Sequence, residues 1–145
     1  MNETTDVKQA APPAAIECKL GWVIVYVDKP TDASEYYVGT FGLRAEFAAP
    51  DGSYAQLDTG PTKLAFASYA LGESSFPGGV RRPGAGEQPP NCEVTLVADD
   101  IDAVYTAALA AGCESLAEPA DKPHGQRVAW VRDPFGTLVE LGTPM

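Results

Sequence analysis

The sequence contains a single histidine, His124, and this scarcity excludes metal sites built from two or three imidazoles of one chain. Positive charge is also scarce, since 10 Lys and Arg stand against 20 Asp and Glu, a formal net charge of −10. Nucleic acids and anionic membranes bind basic surfaces, so neither is an expected partner. No apolar run approaches the ~18–20 residues of a membrane span, and a signal-peptide pattern is absent. We therefore expect a cytoplasmic location.

Cysteine is limited to Cys18, Cys92 and Cys113, which are widely spaced and form no Cys-x-x-Cys pair. This pattern predicts reduced thiols rather than a disulfide framework or a zinc site. Hydrophobic residues make up 45% of the 145, enough for one folded domain with a buried core. Residues 1–17, rich in Ala, Pro and polar side chains, are expected to be a flexible arm, and residues 18–145 to form a single domain.

The order strand, helix and three strands is predicted twice along the chain. In the first copy these elements are expected over residues 20–27, 32–40, 44–48, 53–57 and 63–68. In the second they are expected over residues 92–98, from the Asp99–Asp100 cap to Gly112, and over 114–117, 126–132 and 137–142. Gly42 and Gly112 are offset by 70 positions and Asp58 and Asp133 by 75, so we interpret the pattern as an internal repeat. It predicts two βαβββ modules, about residues 20–68 and 92–142, joined by a long loop over residues 71–91.

The two modules, the helix start at residues 97–103 (VADDIDA) and the closing segment at 125–141 (GQRVAWVRDPFGTLVEL) resemble the vicinal oxygen chelate superfamily. That group includes glyoxalase I, bleomycin resistance proteins, fosfomycin resistance enzymes and extradiol dioxygenases. The resemblance implies an α+β fold in which two tandem βαβββ modules form an open curved sheet around a pocket. It also implies a homodimer with a ligand groove at the subunit interface.

Enzymes of this superfamily hold a divalent metal at four matched positions, two per module. The resemblance places these positions at Trp22, Ala65, Glu93 and Glu140. Neither Trp22 nor Ala65 can coordinate a metal, and two carboxylates alone leave an ion mostly hydrated. His124 lies in a loop outside the four positions. We therefore expect no metal, no other cofactor and no catalytic residue, with one divalent ion on Glu93 and Glu140 as the alternative.

Alternation along the predicted strands indicates which side chains face the pocket. Trp22 and Tyr26 share one face of the first strand, and a one-residue shift of register would exchange that face for the other. The predicted ligand-binding residues are Trp22, Tyr26, Glu93, Trp130, Glu140 and His124. Each also has a structural interpretation, because an aromatic ring can fill core volume and Glu93 can be an ordinary solvated charge.

These features predict a metal-independent small-molecule binding protein of the bleomycin-resistance type. An acidic, aromatic cleft attracts a cationic or aromatic compound, such as an antibiotic, which the protein would sequester. The alternative is a metal-dependent lyase, isomerase or dioxygenase of the same superfamily. A third interpretation is an interaction or regulatory module without a small-molecule ligand, since a fold does not fix a function.

Overall fold

Two copies of one topology make up the chain in the computed structural model, which describes residues 16–83 and 87–145. The first module contains β1 (Trp22–Val27), α1 (Pro30–Phe41), β2 (Arg44–Ala48), β3 (Tyr54–Asp58) and β4 (Lys63–Ser68). Helix α2 (Tyr69–Ser75) follows it directly. The second module contains β5 (Glu93–Val97), α3 (Ile101–Ala110), β6 (Glu114–Asp121), β7 (Arg127–Arg132) and β8 (Leu138–Gly142).

Each module forms its own four-stranded sheet, in the orders β1-β4-β3-β2 and β5-β8-β7-β6. The pairs β1–β4 and β5–β8 are parallel, and the other pairs are antiparallel. In each module the helix carries the chain from the first strand to the far edge of the sheet, and the next strands return by antiparallel pairing. This arrangement confirms the predicted α+β fold with two tandem βαβββ modules. Strands β1 and β5 are edge strands, so the sheets of the described residues do not join into one.

Local sequence explains where the two crossover helices begin and end. Pro30 occupies the first turn of α1, where its missing N–H has no helical partner to lose. Gly42 ends α1 with φ of 75°, a left-handed conformation that glycine adopts without a steric penalty. In α3 the side chain of Asp100 caps the helix by accepting from the backbone N–H of Ala103 at 3.1 Å.

The core lies between the helices and the faces of the sheets that the helices cover. Its fully buried apolar side chains come from both modules, and they include Val27, Tyr37, Leu57, Phe66, Ile101, Val131, Val139 and Leu141. Burial on this side leaves the opposite face of each sheet free to carry polar and aromatic groups. That opposite face holds the candidate site.

A group of polar contacts, here called the inter-module clasp, joins α1 to the second module. The hydroxyl of Tyr37 donates to Asp133 Oδ2 at 2.6 Å. The hydroxyl of the neighbouring Tyr36 donates to the carbonyl of Ala111 at 3.0 Å and lies 3.2 Å from Cys113 Sγ. Tyr37, Cys113 and Asp133 are buried, whereas Tyr36 is half-buried, so the clasp extends from the interior of the domain to its surface.

The structure corrects the predicted loop over residues 71–91, because Leu71–Ser75 are helical as part of α2. The Ser68 hydroxyl caps this helix by accepting from the N–H of Leu71 at 3.0 Å, a signal that the surrounding glycines and prolines obscured. Strand β6 also continues to Asp121, beyond the predicted end at 117. Of the predicted arm, residues 1–15 lie outside the described residues. Neither described range contains a helix with the length and apolar character needed to cross a membrane.

Candidate functional site

The register of the two sheets shows which residues of the modules are equivalent. In each sheet one row of directly paired residues crosses three neighbouring strands. The row contains Ile24, Ala65 and Gln56 on β1, β4 and β3 of the first module, and Thr95, Glu140 and Trp130 on β5, β8 and β7 of the second. Ala65 is therefore equivalent to Glu140. Two residues earlier on the edge strands, Trp22 is equivalent to Glu93. The observed register thus matches Ala65 to Glu140, as the sequence offset of 75 gave, and Trp22 to Glu93, as the family resemblance placed them.

The second module presents two carboxylates and an indole on its open face. Thr95 Oγ1 lies 3.1 Å from Glu93 Oε2 and 3.1 Å from Glu140 Oε1, so one hydroxyl bridges the two glutamates. Trp130 Nε1 donates to Glu93 Oε1 at 3.1 Å. Strands β5, β8 and β7 each contribute to this group because their paired residues point to the same face. We call Glu93, Thr95, Trp130 and Glu140 the acidic wall.

The two glutamates of the acidic wall titrate differently because they interact. The hydrogen bond with Glu140, with smaller contributions from Trp130 and Thr95, lowers the pKa of Glu93 below its ordinary value. The hydrogen bond with Glu93 and partial burial raise the pKa of Glu140. A hydrogen bond in which Glu140, when protonated, donates to ionised Glu93 accounts for both directions. The acidic wall therefore carries at least one carboxylate that can accept a ligand N–H or attract a cation.

His124 and Tyr26 lie at the margins of this arrangement. His124 Nε2 is 2.6 Å from Gln126 Oε1 on the exposed surface. Tyr26 packs edge-on against Phe76, with ring centroids 6.4 Å apart. Of the six predicted residues, the structure brings Glu93, Trp130 and Glu140 into one hydrogen-bonded group with Thr95.

The remaining predicted residue, Trp22, belongs to a different group on the first module. Its indole Nε1 donates to Gln56 Oε1 at 2.9 Å, and the hydroxyl of Tyr54 donates to the same oxygen at 2.6 Å. Gln56 Nε2 in turn donates to Glu46 Oε1 at 3.2 Å. Phe47 lies beside Tyr54, with ring centroids 5.7 Å apart. We call Trp22, Phe47, Tyr54 and Gln56 the aromatic wall.

The sequence prediction missed Phe47, Tyr54 and Gln56. Alternation within residues 53–57 places Tyr54 and Gln56 on one face of the strand. Gln56 is paired with Ala65, and this pairing brings Gln56 to the predicted pocket. The sequence alone does not give the register of that pair.

Two cavities lie between β1 and β5, the edge strands of the two modules. One, of about 440 Å³, lies against Lys63, Leu64 and the whole of β5. The other, of about 390 Å³, lies against β1 from Val23 to Tyr26, the start of β5 and Arg81. Both include Glu93 and Val23 in their lining, so they give small molecules access to the boundary between the modules.

The residues at the four family positions do not fit a metal centre. Trp22 and Ala65 offer no metal-binding atom, and Ala65 is fully buried. Glu93 and Glu140 are engaged with Thr95, Trp130 and each other. Among residues 16–83 and 87–145, no group of three or more His, Cys, Asp or Glu side chains is arranged to hold an ion. A catalytic metal normally has about three protein ligands and one open position.

Known proteins of several kinds resemble this chain. The protein CFP32 of Mycobacterium tuberculosis and of Mycobacterium bovis, provisionally named a glyoxylase, is 31% identical over 126 residues, which cover 85% of this chain and 43% of CFP32. The chain thus spans less than half the length of these curated relatives. A lactoylglutathione lyase from Agrobacterium tumefaciens superposes with a TM-score of 0.61 at 25% identity, covering 92% of this chain and 96% of the lyase. A glyoxalase-related enzyme from Fulvimarina pelagi has a TM-score of 0.71 at 18% identity, covering 87% and 88%, and this likeness concerns the fold.

The family assignment follows from the fold, the register and a match along the sequence. The model of the Glyoxalase/Bleomycin resistance protein/Dioxygenase superfamily matches residues 19–141, which include both modules and both walls. The chain therefore belongs to the glyoxalase/bleomycin resistance protein/dioxygenase superfamily.

Proposed function

We propose that the protein is a metal-independent small-molecule binding protein of the glyoxalase/bleomycin-resistance type that sequesters a cationic or aromatic compound, such as an antibiotic. The observation that carries this proposal is the acidic wall, where the Trp130 indole is hydrogen-bonded to one of two paired carboxylates. Trp130 is half-buried, and Lys122 Nζ lies 5.4 Å from the centroid of its ring. A planar cation in the place of that ammonium would add stacking to the cation–π and Coulomb attraction. The net charge of −10 adds a long-range attraction of the same sign.

The donor set at the four family positions supports binding without a metal. Trp22 and Ala65 stand where two metal ligands would be needed, and the indole N–H of Trp22 is committed to Gln56. Sequestration requires only affinity, which the two walls and the cavities that Glu93 borders can supply.

Titration with a planar cation tests this function. Trp22→Phe leaves Trp130 as the single tryptophan, because the chain has two. We expect proflavine and bleomycin to quench Trp130 emission, and we expect Glu140→Gln to weaken proflavine binding about tenfold by removing one charge from the wall. Glu35→Gln, which removes an exposed charge on α1, is the matched control and should leave affinity within twofold. A flat response to both compounds would instead favour an interaction module without a small-molecule ligand.

The second candidate is a metal-dependent lyase, isomerase or dioxygenase of the same superfamily. It is favoured by the two glutamates at family metal positions and by the enzyme names of CFP32 and the Agrobacterium lyase. Metal analysis of protein purified without chelator separates the candidates. Stoichiometric zinc, nickel, iron or manganese that is lost in Glu140→Gln would replace the sequestration proposal with the enzymatic one.

We also propose that the protein is a homodimer. Large apolar side chains are exposed on the edge strands of both sheets: Val23 is 39% exposed, Ile24 42% and Val97 63%. A second copy that covers these strands and leaves the two walls open would remove apolar surface from water. Light scattering after gel filtration should then give twice the mass of 15.2 kDa. A mass of one chain at 100 μM would contradict the dimer.

A cytoplasmic location is the last part of the proposal. It is supported by the three cysteines, all of which are free thiols. Free thiols persist in reducing compartments. Detection of the protein in the soluble cell extract, and not in the periplasmic or culture fraction, would agree with this location.

A further inference from the structure

The structure assigns Gln56 as a positioning residue that holds the aromatic wall as a platform for an uncharged, planar aromatic ring. This inference rests on the proposed small-molecule binding and names the part of the ligand that the first module takes. The acidic wall would take the cationic part. The two walls differ in chemistry, although they occupy equivalent places in the two modules.

The amide of Gln56 has one orientation that the surrounding groups permit. An indole N–H can only donate, so Trp22 requires the amide oxygen, and the ionised Glu46 can only accept, so it requires the amide nitrogen. The amide oxygen has two lone pairs and accepts from Tyr54 as well. Gln56 is only 6% exposed, which shields these bonds from water. The amide therefore fixes two aromatic side chains at once.

Part of the aromatic wall remains open to solvent. Trp22, which Gln56 fixes directly, is 56% exposed, and Phe47, which packs against the half-buried Tyr54, is 53% exposed, whereas the anchoring amide is buried. The indole of Trp22 on β1 reaches Gln56 on β3 across the intervening strand β4. Ala65, the residue of β4 in that row, is completely buried and too small to obstruct the indole. Anchored edges with exposed faces are the arrangement that ring stacking requires, and it costs little conformational entropy on binding.

The charges at the rim of the aromatic wall compensate one another. Lys63 Nζ lies 3.1 Å from Glu46 and 3.3 Å from Asp58, and Arg44 lies 3.4 Å from Asp58. Two cations thus face two carboxylates. The first module therefore recognises the face of a ring rather than a charge, in contrast with Glu93 and Glu140 on the second.

The anchoring bond recurs in the second module with its roles exchanged. Trp22 is equivalent to Glu93, and Gln56 is equivalent to Trp130, because the two rows have the same register. In each module an indole N–H donates across the middle strand to an acceptor at the other position of this pair. The recurrence supports a positioning role for the acceptor in both walls.

The test uses a Trp130→Phe background, in which Trp22 is the sole tryptophan, and two probes, neutral acridone and cationic proflavine. We expect acridone to quench Trp22. Gln56→Met retains the length of the side chain but neither hydrogen-bonding group, and it should lower Trp22 anisotropy and weaken acridone binding about tenfold. Gln88→Met, at an exposed loop position, is the matched control. The double exchange Glu46→Gln with Gln56→Glu restores an acceptor for both rings and should recover most of the affinity.

Acridone affinity of Gln56→Met within twofold of the Trp130→Phe parent would overturn the inference. Where Gln56→Met does not fold, Tyr54→Phe decides, because it removes only the hydroxyl that bonds Gln56 and should weaken acridone binding two- to threefold. An emission maximum of Trp22 that shifts to the blue in step with dimer mass would also overturn it, since a second copy would then cover the platform. Proflavine quenching of Trp130 in Trp22→Phe, without any acridone response at Trp22, leaves the proposed function standing and removes only this inference. Loss of both the proflavine response and the acridone response would overturn the proposed function and this inference together.

Discussion

Replacement of Tyr37 by phenylalanine is expected to destabilise the fold much more than the same change at an exposed site. Tyr37 is completely buried, and its hydroxyl supplies the bond from the first module to Asp133. Asp133 Oδ1 accepts from the backbone N–H of Phe135 at 2.9 Å and of Thr137 at 2.8 Å, both within its own turn. The substitution therefore leaves the turn intact and removes a donor from a buried carboxyl group.

The magnitude follows from the kind of bond that is lost. A hydrogen bond to a charged group contributes about 1.5–3 kcal/mol net, so we expect Tyr37→Phe to lower the free energy of unfolding by about 2 kcal/mol. For a domain near 150 residues this corresponds to a fall in Tm of about 4–8 °C. Tyr105→Phe is the matched control, because the Tyr105 hydroxyl donates to Ser115 Oγ at 2.7 Å on the exposed surface. Loss of the Tyr105 hydroxyl should lower the free energy of unfolding by about 0.5 kcal/mol.

Urea unfolding followed by circular dichroism at pH 7 measures both effects. Asp133→Asn and the double variant with Tyr37→Phe complete a cycle that isolates the energy of the pair. We expect a coupling energy of about 1–2 kcal/mol, since the two side chains are in direct contact. Equal costs for Tyr37→Phe and Tyr105→Phe, or a coupling energy near zero, would refute the view that the clasp stabilises the docked modules.

Three further outcomes are expected. Burial, together with Cys113 for Tyr36 and Asp133 for Tyr37, raises the pKa of both tyrosines above the unfolded value near 10. Their contribution to stability is therefore present below pH 10 and lost as pH rises above it, and absorbance at 295 nm should show two of the six tyrosines ionising only on unfolding. Because its partner carboxylate raises the pKa of Glu140, the emission of the acidic-wall indole in Trp22→Phe should titrate with a midpoint above the ordinary glutamate value, and Glu140→Gln should abolish this step. Gly39→Ala, in open space within α1, should raise stability by about 0.5–1 kcal/mol. Gly136→Ala should lower it by at least ~1 kcal/mol, since φ is +96° and the new Cβ would lie 2.7 Å from a proline ring, and thermal melts of both variants check the pair.

The fold could be predicted because the repeat determines it locally. The helix stop at Gly42 and the cap at Asp100 are local signals, and the structure shows both. Helix α2 was missed because its cap at Ser68 lies at the end of a strand and its buried contacts, Tyr69 and Gly72, depend on tertiary packing. The glycines and prolines farther along the same segment are typical of a loop, so the sequence predicted a loop there in spite of the cap at Ser68.

The candidate site was predictable only where the family resemblance gave positions. The acidic wall depends on Glu93 and Glu140, which the resemblance placed at two of the four family positions. The aromatic wall depends on Gln56, whose pairing with Ala65 is a long-range property that no local pattern encodes. Its hydrogen bond to Trp22 spans 34 residues, and a polar residue in a buried strand position gave no separate signal of that role.

The inter-module clasp has a consequence for the order in which the chain folds. Its three contacts bridge residues 96, 77 and 75 apart, whereas the hydrogen bond from the Thr62 hydroxyl to the carbonyl of Leu20, within the first module, spans only 42 residues. Short-range closures are faster to form, so each module can assemble its own crossover before the modules meet. A module that has formed alone still exposes the Tyr37 or Asp133 side of the clasp to water. Docking of the two modules then buries these groups and completes the core that both modules share.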